Sequence, residues 1–341
     1  IASFTAVNTG TSPVTATIVV TPTFTNAGVS CSGPAKTFTI IVNPTGQVND
    51  PADQVICNSA LTSAVNFTTV NSGGTTTYAW TNDNTSIGLA ASGTGNIASF
   101  TATNSGNSPV TATITVTPTF SNAAPGVQEG AEPGIPPSGA NCTGPSQTFT
   151  ITVNPTAQVN PITNKVVCNS DVVPTINFGT IVSGGATYCT WTNDNTSIGL
   201  AASGAAGGWI NSFTAINTGT TPQVATITVT PTFTNGGVTC SGPSVTFTIT
   251  VNPTAQVNVP ANQVKCNGST TNAVSFTTNN TGGTTAYSWT NSNTSIGLAA
   301  SGNGDIASFT ATNSGTAPVT ATITVTPAYT NAGVTCSGPA Q

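Results

Sequence analysis

Polar and apolar residues alternate along short stretches of this chain. In the segment TATITVTPTF, Thr111–Phe120, threonine occupies every second position and the residues between are mostly small or apolar. A period of two residues is typical of a β-strand with one buried face. The same pattern returns at Thr15–Phe24, Ala225–Phe233 and Thr320–Tyr329, and no segment sustains a period near 3.6 residues. The alternation therefore predicts an all-β protein.

The sequence also repeats itself at a domain-sized interval. The segment I(A/N)SFTA(V/T/I)N begins at Ile1, Ile97, Ile210 and Ile306, at separations of 96, 113 and 96 residues. The longer interval contains fifteen extra residues between Asn122 and Cys142 and two more just before Ile210. A unit of 96 residues is the size of a small domain and exceeds a short solenoid repeat.

Each complete unit contains seven short alternating segments, which are separated by Gly, Asn, Pro and Ser. The third segment carries a tryptophan, at Trp80, Trp191 and Trp289. Seven short strands in about 100 residues with such a tryptophan are typical of an immunoglobulin-like Greek-key β-sandwich, in which the indole packs between the two sheets. We therefore predict tandem sandwich domains and a core position for each of these tryptophans.

The motif VNPT marks the predicted boundaries, because proline lacks an amide hydrogen and ends a strand ladder. We predict four domains. Residues 1–48 are the back part of one domain, and residues 49–158 are a whole domain with a long insertion at 124–141 in the loop between its last two strands, the F–G loop. Residues 159–256 are a second whole domain, and residues 257–341 are a fourth that lacks its last strand. The short linkers predict a stiff rod. We expect the chain to be an excerpt of a longer array; the alternative is a last strand donated by a neighbouring chain.

Eight cysteines in a chain without histidine favour disulfides over a zinc site, since CxxC spacings are absent. One scheme closes bonds within each domain: Cys57–Cys142, Cys168–Cys240 and Cys266–Cys336. The other crosses the linkers: Cys31–Cys57, Cys142–Cys168 and Cys240–Cys266. In an immunoglobulin-like sandwich the first strand runs parallel to the last, and both start near the F–G turn, so we predict the pairs within domains.

Two cysteines have no partner in this scheme. Cys31 lies in the incomplete first domain, and Cys189 lies in TYCTWTN, where the other copies have no cysteine. We interpret Cys189 as a small buried side chain, with an intermolecular bridge as the alternative. Structural disulfides indicate an oxidising compartment, so we predict an extracellular or cell-surface protein.

Charge is scarce, which excludes several classes of partner. Three basic and eight acidic residues give a net charge of -5, and charged residues make up 3% of the chain. No basic stripe is present to neutralise phosphates, so we predict neither nucleic-acid binding nor binding to anionic membranes. No apolar run is long enough to span a bilayer, and residue 1 enters IASFTA without a leader, so we expect no membrane insertion and no signal peptide within the sequence.

Candidate chemistry is sparse. The absence of histidine removes catalytic triads, and no nucleophile is arranged, so we predict a protein that is not an enzyme and needs no cofactor. Glu129 and Glu132 form a carboxylate pair in a Pro- and Gly-rich loop, which favours a solvated hairpin tip. In TNDNTS, Asp83 and Asp194 are weak candidates for calcium ligands, and Asx-type turns explain the same residues without metal.

Trp209 lies in an insertion, AAGGWINSF, outside the repeat pattern. An exposed indole there could stack on a sugar; packing against a neighbouring domain is the alternative. The threonine rows resemble the TxT rows of ice-binding surfaces, but those need a flat array and an immunoglobulin-like sheet is twisted. We interpret the rows as the solvated face of the strands.

Several motifs together resemble a known repeat family. These are YSWTNSNTSIGLAASGNGDIASFTATNSG, PVTATITVTP, NAGVTCSGP and TFTITVNPTAQVN. They are similar to the PKD-like, immunoglobulin-like tandem repeats of giant surface proteins of Bacteroidota, often associated with gliding motility and type IX secretion. The resemblance covers all four copies and implies a stalk or adhesin filament without catalytic residues.

Three functions therefore remain open. The leading hypothesis is a structural or adhesive array whose partners are neighbouring repeats of the same chain, with self-association into filaments. The second is a module that binds a glycan or a surface through the long loop, Trp209 or the threonine rows. The third is an accessory region of an exported enzyme.

Overall fold

The computed structural model describes residues 1–122 and 140–341. Its secondary structure is β-strand apart from three short 3-10 turns, Thr85–Ile87, Thr196–Ile198 and Thr294–Ile296. Within these described ranges no helix is long and apolar enough to cross a membrane. The all-β prediction is confirmed.

The strands follow the repeats of the sequence. Those in the first two copies are β1 (Val14–Val20), β2 (Thr23–Asn26), β3 (Val29–Ser32), β4 (Lys36–Val42), β5 (Gln54–Cys57), β6 (Thr75–Asn82), β7 (Ser92–Thr94), β8 (Val110–Ser121), β9 (Cys142–Thr143) and β10 (Gln147–Asn154). Those in the third copy are β11 (Lys165–Cys168), β12 (Val172–Val173), β13 (Ile176–Asn177), β14 (Ala186–Asn193), β15 (Ser203–Ala206), β16 (Trp209–Ile210), β17 (Phe213–Thr214), β18 (Gln223–Asn235), β19 (Val238–Ser241) and β20 (Val245–Asn252). Those in the fourth copy are β21 (Thr284–Asn291), β22 (Ser301–Asn303), β23 (Ile323–Asn331) and β24 (Val334–Ser337).

The second copy forms a two-layer sandwich. One sheet has the order β5-β10-β8-β6-β7, in which β5 runs parallel to β10 and the other pairs are antiparallel. The opposite layer is held by the bridges Leu61↔Thr101 and Val65↔Ile97. A first strand parallel to the last, with strands two and five facing them, is the immunoglobulin-like arrangement.

The third and fourth copies repeat this topology. In the third the sheet order is β11-β20-β18-β14-β15, with β11 parallel to β20, and the opposite layer contains the pairs β12–β17 and β13–β16. In the fourth the order is β22-β21-β23-β24. The predicted fold class, tandem immunoglobulin-like sandwiches, is therefore confirmed.

Alternation along each strand separates the core from the solvent. On β8 the side chains of Ala112, Ile114 and Val116 are fully buried, and the threonines between them point outward. On the outward face, Thr111 and Thr152 of neighbouring strands share a hydroxyl hydrogen bond of 2.8 Å. The interpretation of the threonine rows as the solvated strand face is confirmed.

The three repeat tryptophans lie in the cores, as the sequence predicts. Trp80, Trp191 and Trp289 are each 7% exposed. Each indole covers a glycine of the neighbouring strand: a Cβ on Gly93 would lie 2.2 Å from the ring of Trp80. The SG dipeptide after each 3-10 turn therefore leaves room for the tryptophan.

The chain divides into two compact units. Unit 1 contains Ile1–Thr156, Val182–Ala186 and Phe233–Cys240, and unit 2 contains Ala157–Ile181, Thr187–Thr232 and Ser241–Gln341. Two loops of the third copy thus belong to the same unit as the second copy. The four-domain division stays a prediction.

Candidate functional site at the junctions between repeats

Two disulfides join consecutive repeats. In unit 1, Cys57 at the end of β5 is bonded to Cys240 on β19, with a Cα–Cα distance of 5.5 Å. In unit 2, Cys168 at the end of β11 is bonded to Cys336 on β24, also at 5.5 Å. Each bond connects the first strand of one repeat to the F–G hairpin of the next.

The predicted pairs within domains, Cys57–Cys142, Cys168–Cys240 and Cys266–Cys336, are therefore wrong, and the alternative pairs across the linkers do not form either. The parallel pairing of first and last strand holds, but β5 pairs with the second half of β10, so that Cys57 lies opposite Asn154. Cys142 lies before β10 begins. At about 3.3 Å per residue, the length of β10 places the two cysteines at opposite ends of the sandwich, more than 20 Å apart.

A buried asparagine from the VNPT motif holds the next hairpin. In unit 1 the side-chain amide of Asn154 donates to the carbonyl oxygen of Asn235 at 3.1 Å and accepts from the Asn235 side chain at 2.9 Å. In unit 2, Asn252 makes the same two bonds with Asn331, at 3.3 and 2.9 Å. Asn154 and Asn252 are fully buried, so these bonds satisfy amides that water cannot reach.

A second contact joins the loop before β14 of the third copy to the loop before β8 of the second copy. Gly184 has φ 81° and faces Pro109, whose Cδ would lie 2.7 Å from an added Cβ. The neighbouring amide of Ser183 donates to the carbonyl oxygen of Asn107 at 2.8 Å. The matching glycine–proline pairs are Gly73 with Pro13 and Gly282 with Pro222. These positions need glycine for both the positive φ and the close approach.

The linker itself packs against the glycine of the motif C(S/T)GP. A Cβ on Gly242 would lie 1.8 Å from the carbonyl oxygen of Ala157, the residue that follows VNPT. Gly144 meets Gly46 at 1.7 Å and Gly338 meets Ala255 at 2.0 Å by the same measure. Backbone therefore packs directly on backbone at each of these linkers.

An asparagine follows Cys57 and Cys168, and its hydrogen bonds hold the loop that carries the cysteine. Asn58 accepts from the amide of Asn104 at 2.8 Å and donates to the hydroxyl of Thr156 at 2.9 Å. Asn169 makes the corresponding bonds in the third copy. The cysteine is thus presented on a loop that is fixed from two sides.

The remaining cysteines differ in exposure. Cys31 and Cys266 are exposed, Cys142 is half-buried, and Cys189 is buried. Burial raises the pKa of the Cys189 thiol. Two residues before Trp191, Cys189 occupies the inward position that Tyr78 and Tyr287 hold before their tryptophans. Cys189 is therefore a small core side chain, and its buried thiol is not accessible for an intermolecular bridge.

The TNDNTS segments form turns. The carboxylates of Asp83 and Asp194 accept from the backbone amides of Thr113 and Thr226 at 2.7 and 2.6 Å. In the fourth copy the hydroxyl of Ser292 takes the same role. Asn193 donates to the carbonyl oxygen of Leu200 at 3.0 Å. The backbone amides of Asn84 and Asn195 donate to the side-chain oxygens of Asn82 and Asn193, both at 3.0 Å, and these bonds are Asx turns. Across residues 1–122 and 140–341 no three acidic or thiol side chains cluster to hold a metal.

Trp209 lies on β16 and is 43% exposed. Its indole nitrogen donates to the side chain of Asn211 at 3.0 Å. A ligand-stacking role for Trp209 stays a prediction. Glu129, Glu132 and most of the 124–141 loop lie outside the described residues.

The chain is similar to several tandem-domain proteins of known structure. No protein-family model and no curated protein matches it. The titin I-band fragment I67–I69 is 9% identical, covers 87% of this chain and 98% of its own, and has a TM-score of 0.40. Drosophila N-cadherin EC1–4 is 14% identical with 95% and 81% coverage and a TM-score of 0.32. The FN1–FN3 domains of chicken CNTN1 are 11% identical with 87% and 94% coverage and a TM-score of 0.26.

Proposed function

We propose that the chain is the structural or adhesive repeat region of an extracellular bacterial surface filament or giant adhesin, and acts as a stiff stalk. The observation that carries this proposal is the pair of disulfides that join the first strand of one repeat, β5 or β11, to the hairpin of the following repeat, Cys57–Cys240 and Cys168–Cys336. A bond of this kind does nothing for a lone domain, but it resists separation and bending of two repeats.

Each of the two disulfide-bonded junctions is restrained at several points. Besides the disulfide, the asparagine pair, the glycine–proline contact and the linker glycine hold the two repeats. Bending at the junction would have to break a buried side-chain hydrogen bond and separate closely packed backbone. The junction is nearly uncharged, so its stability should change little with salt.

The disulfides and the threonine-rich surface are both consistent with an exported stalk. Disulfides persist in oxidising compartments, which supports an extracellular location. The outward strand faces carry threonine hydroxyls, which keep a chain with 3% charged residues solvated. In this proposal the repeats act as a scaffold and not as an enzyme.

The repeat motifs support membership in the PKD-like, immunoglobulin-like repeats of Bacteroidota surface proteins. On that assignment the domains are 1–48, 49–158, 159–256 and 257–341, and each passes load to the next through its last strand and the disulfide. The partners are then neighbouring repeats of the same chain.

Small-angle X-ray scattering of the oxidised chain tests the stalk directly. A compact globule of 341 residues has a radius of gyration of about 20 Å. A row of repeats, each about 40 Å long from its longest strands, should have a radius of gyration of at least twice that value. The control is the variant Cys57→Ser with Cys168→Ser, which should keep its content of β-strand and gain flexibility at the junctions.

A radius of gyration near 20 Å for the oxidised chain would contradict the stalk. Identical scattering of the oxidised chain and the double variant would show that the disulfides do not stiffen the junctions.

A further inference from the structure

A glutamine closes the start of the first strand against the segment that follows that strand in two of the repeats. In the second copy the side chain of Gln54 accepts from the amide of Ser63 at 3.0 Å and donates to the carbonyl oxygen of the same residue at 3.1 Å. In the fourth copy Gln263 makes the same two bonds with Asn272, at 2.9 and 3.0 Å. We call this pair of bonds the glutamine clasp.

The third copy has residues that cannot form the glutamine clasp. Lys165 and Pro174 occupy the positions of the glutamine and its partner. A lysine side chain has no acceptor and a proline has no amide hydrogen, so the bond from the amide to the side chain is lost. A cavity of about 260 Å³ lies at this place, between residues 160–165 and residues 173–179. The departure from the repeat therefore coincides with an open cavity.

The cavity combines one positive charge with apolar walls. Of the described residues that line it, Lys165 is the only charged one, so no carboxylate among them neutralises the ammonium. Ile162 and Pro174 contribute apolar surface, and Asn177 contributes an amide. The volume is just below the roughly 300–1,000 Å³ of ligand pockets. The cavity therefore suits one small ring that carries a negative charge.

A second departure from the repeat concerns Trp209. In the second copy the residue before the repeated isoleucine, Asn96, accepts from the amide of Phe67 at 2.9 Å, and the fourth copy has the same bond. In the third copy Trp209 occupies this position, and the carbonyl oxygen of Gly208 accepts from the amide of Phe178 at 2.6 Å. The insertion thus releases the side chain at position 209 from a structural hydrogen bond.

The indole of Trp209 is held in place at the surface. Its nitrogen donates to the side chain of Asn211 at 3.0 Å, and the matching residue in the other copies is alanine. The tryptophan side chain is 43% exposed. An aromatic ring whose orientation is already fixed loses little conformational entropy when a ligand stacks on it. Trp209 therefore provides a preformed stacking surface.

Asn177 connects this stacking surface to the cavity. It lines the cavity and pairs directly with Trp209 in the β13–β16 ladder. Residues directly opposite each other in an antiparallel pair have side chains on one face, about 5 Å apart, and both are exposed here. In the second copy the matching Asn66 accepts from Asn96 at 3.1 Å, and Trp209 replaces that partner in the third. The amide of Asn177 is thus exposed beside the indole.

We propose that the third repeat binds an acidic glycan, in which one sugar ring stacks on Trp209 and the carboxylate of a neighbouring uronic acid pairs with Lys165 in the cavity. Asn177 lies between them and forms hydrogen bonds with sugar hydroxyls. A pyranose has a face of C–H groups that packs on an aromatic ring, and its hydroxyls need donors and acceptors such as an amide. The inference adds a ligand to the proposed stalk and does not depend on it.

Calorimetric titration of the full chain with acidic oligosaccharides tests this site. The probes are oligosaccharides of galacturonic acid, of alginate and of hyaluronan, each beside its carboxyl-reduced, neutral form. Binding is expected for at least one acidic probe and should be about tenfold weaker or more for its neutral form, because reduction removes the charge that pairs with Lys165. Poly-glutamate carries the same charge without sugar rings and is expected not to bind.

Variants of the third repeat locate the site. Lys165→Gln with Pro174→Ser supplies the residues of the glutamine clasp, so it should close the cavity and abolish binding while the β-strand content stays the same. Trp209→Ala should weaken binding about tenfold or more. Lys265→Gln is the control for the loss of an exposed positive charge, and Phe24→Ala is the control for the loss of an exposed aromatic ring. Both controls should bind as the unchanged chain does.

Several results would overturn the inference. These are binding of none of the probes, equal binding of an acidic probe and its neutral form, and equal binding of poly-glutamate. Unchanged binding in Trp209→Ala or in the double variant, or a loss in either control, would also contradict the site. None of these results affects the stalk, which scattering tests separately.

Discussion

Reduction of the two disulfides is expected to lengthen the fully stretched chain ~2.5-fold, because stretched length scales with the number of residues in the path. The two bonds interleave along the sequence, since Cys168 lies between Cys57 and Cys240. The shortest covalent path from residue 1 to residue 341 then runs through residues 1–57, 168–240 and 336–341, about two fifths of the chain. Single-molecule stretching from the two ends, with and without dithiothreitol, measures the difference.

The matched variants make this measurement specific. Cys57→Ser should lengthen the oxidised chain, because only the Cys168–Cys336 bond still shortens the path. Cys142→Ser should leave the stretched length unchanged, since Cys142 is unbonded. An increase with Cys142→Ser, or equal lengths before and after reduction, would contradict the bonding between repeats.

The variant Gly242→Ala is expected to lower the free energy of unfolding by about 3 kcal/mol or more, which is the upper range for overpacking. The added Cβ would lie 1.8 Å from the carbonyl oxygen and 2.6 Å from the carbonyl carbon of Ala157. Both atoms belong to backbone, so no side-chain rotation relieves the clash. The amide of Gly242 also donates to the carbonyl oxygen of Pro231 at 3.0 Å, which limits movement on its own side.

Denaturant unfolding followed by tryptophan fluorescence measures this loss. Gly207→Ala is the control, since an added Cβ there meets only the Trp209 ring, at 3.7 Å or more. This control should change the free energy of unfolding by less than about 1 kcal/mol. An unchanged unfolding midpoint for Gly242→Ala would show that the linker does not pack closely against the following repeat.

The sandwich could be predicted from the sequence because its signals are local. The period of two along Thr111–Phe120 defines which side chains are buried, and the structure buries Ala112, Ile114 and Val116 as that period requires. The tryptophans are large enough to need a core, and all three are found there. These predictions depend only on which face of a strand is apolar.

The disulfides could not be predicted in the same way, because their partners depend on strand register. The sequence pattern predicts that the first and last strands are parallel, but it does not define the position at which β5 joins β10. Pairing of Gln54 with Ile151, halfway along β10, moves Cys57 to the far end of the sandwich. A shift of a few residues in register therefore decides between a bond within a repeat and a bond to the next repeat.

The VNPT motif is conspicuous in the sequence, but the sequence alone does not indicate that its asparagine contacts the next repeat. The proline of VNPT predicts a domain boundary, and the asparagine beside that proline forms hydrogen bonds with the next hairpin. This contact could have been identified from two asparagines that recur at matching positions of the repeats. One lies in VNPT, at Asn154 and Asn252, and the other precedes the hairpin turn, at Asn235 and Asn331. Buried asparagines are costly unless paired, so such a repeated pair indicates a contact.

Disulfide mapping of the oxidised protein tests the central claim most directly. Digestion with pepsin at low pH prevents thiol exchange, and mass spectrometry identifies the linked peptides before and after reduction. The account predicts peptides that join Cys57 to Cys240 and Cys168 to Cys336. Peptides that join Cys57 to Cys142 and Cys168 to Cys240 would contradict it, because each repeat would then close on itself and the junctions would have no covalent bond beyond the chain.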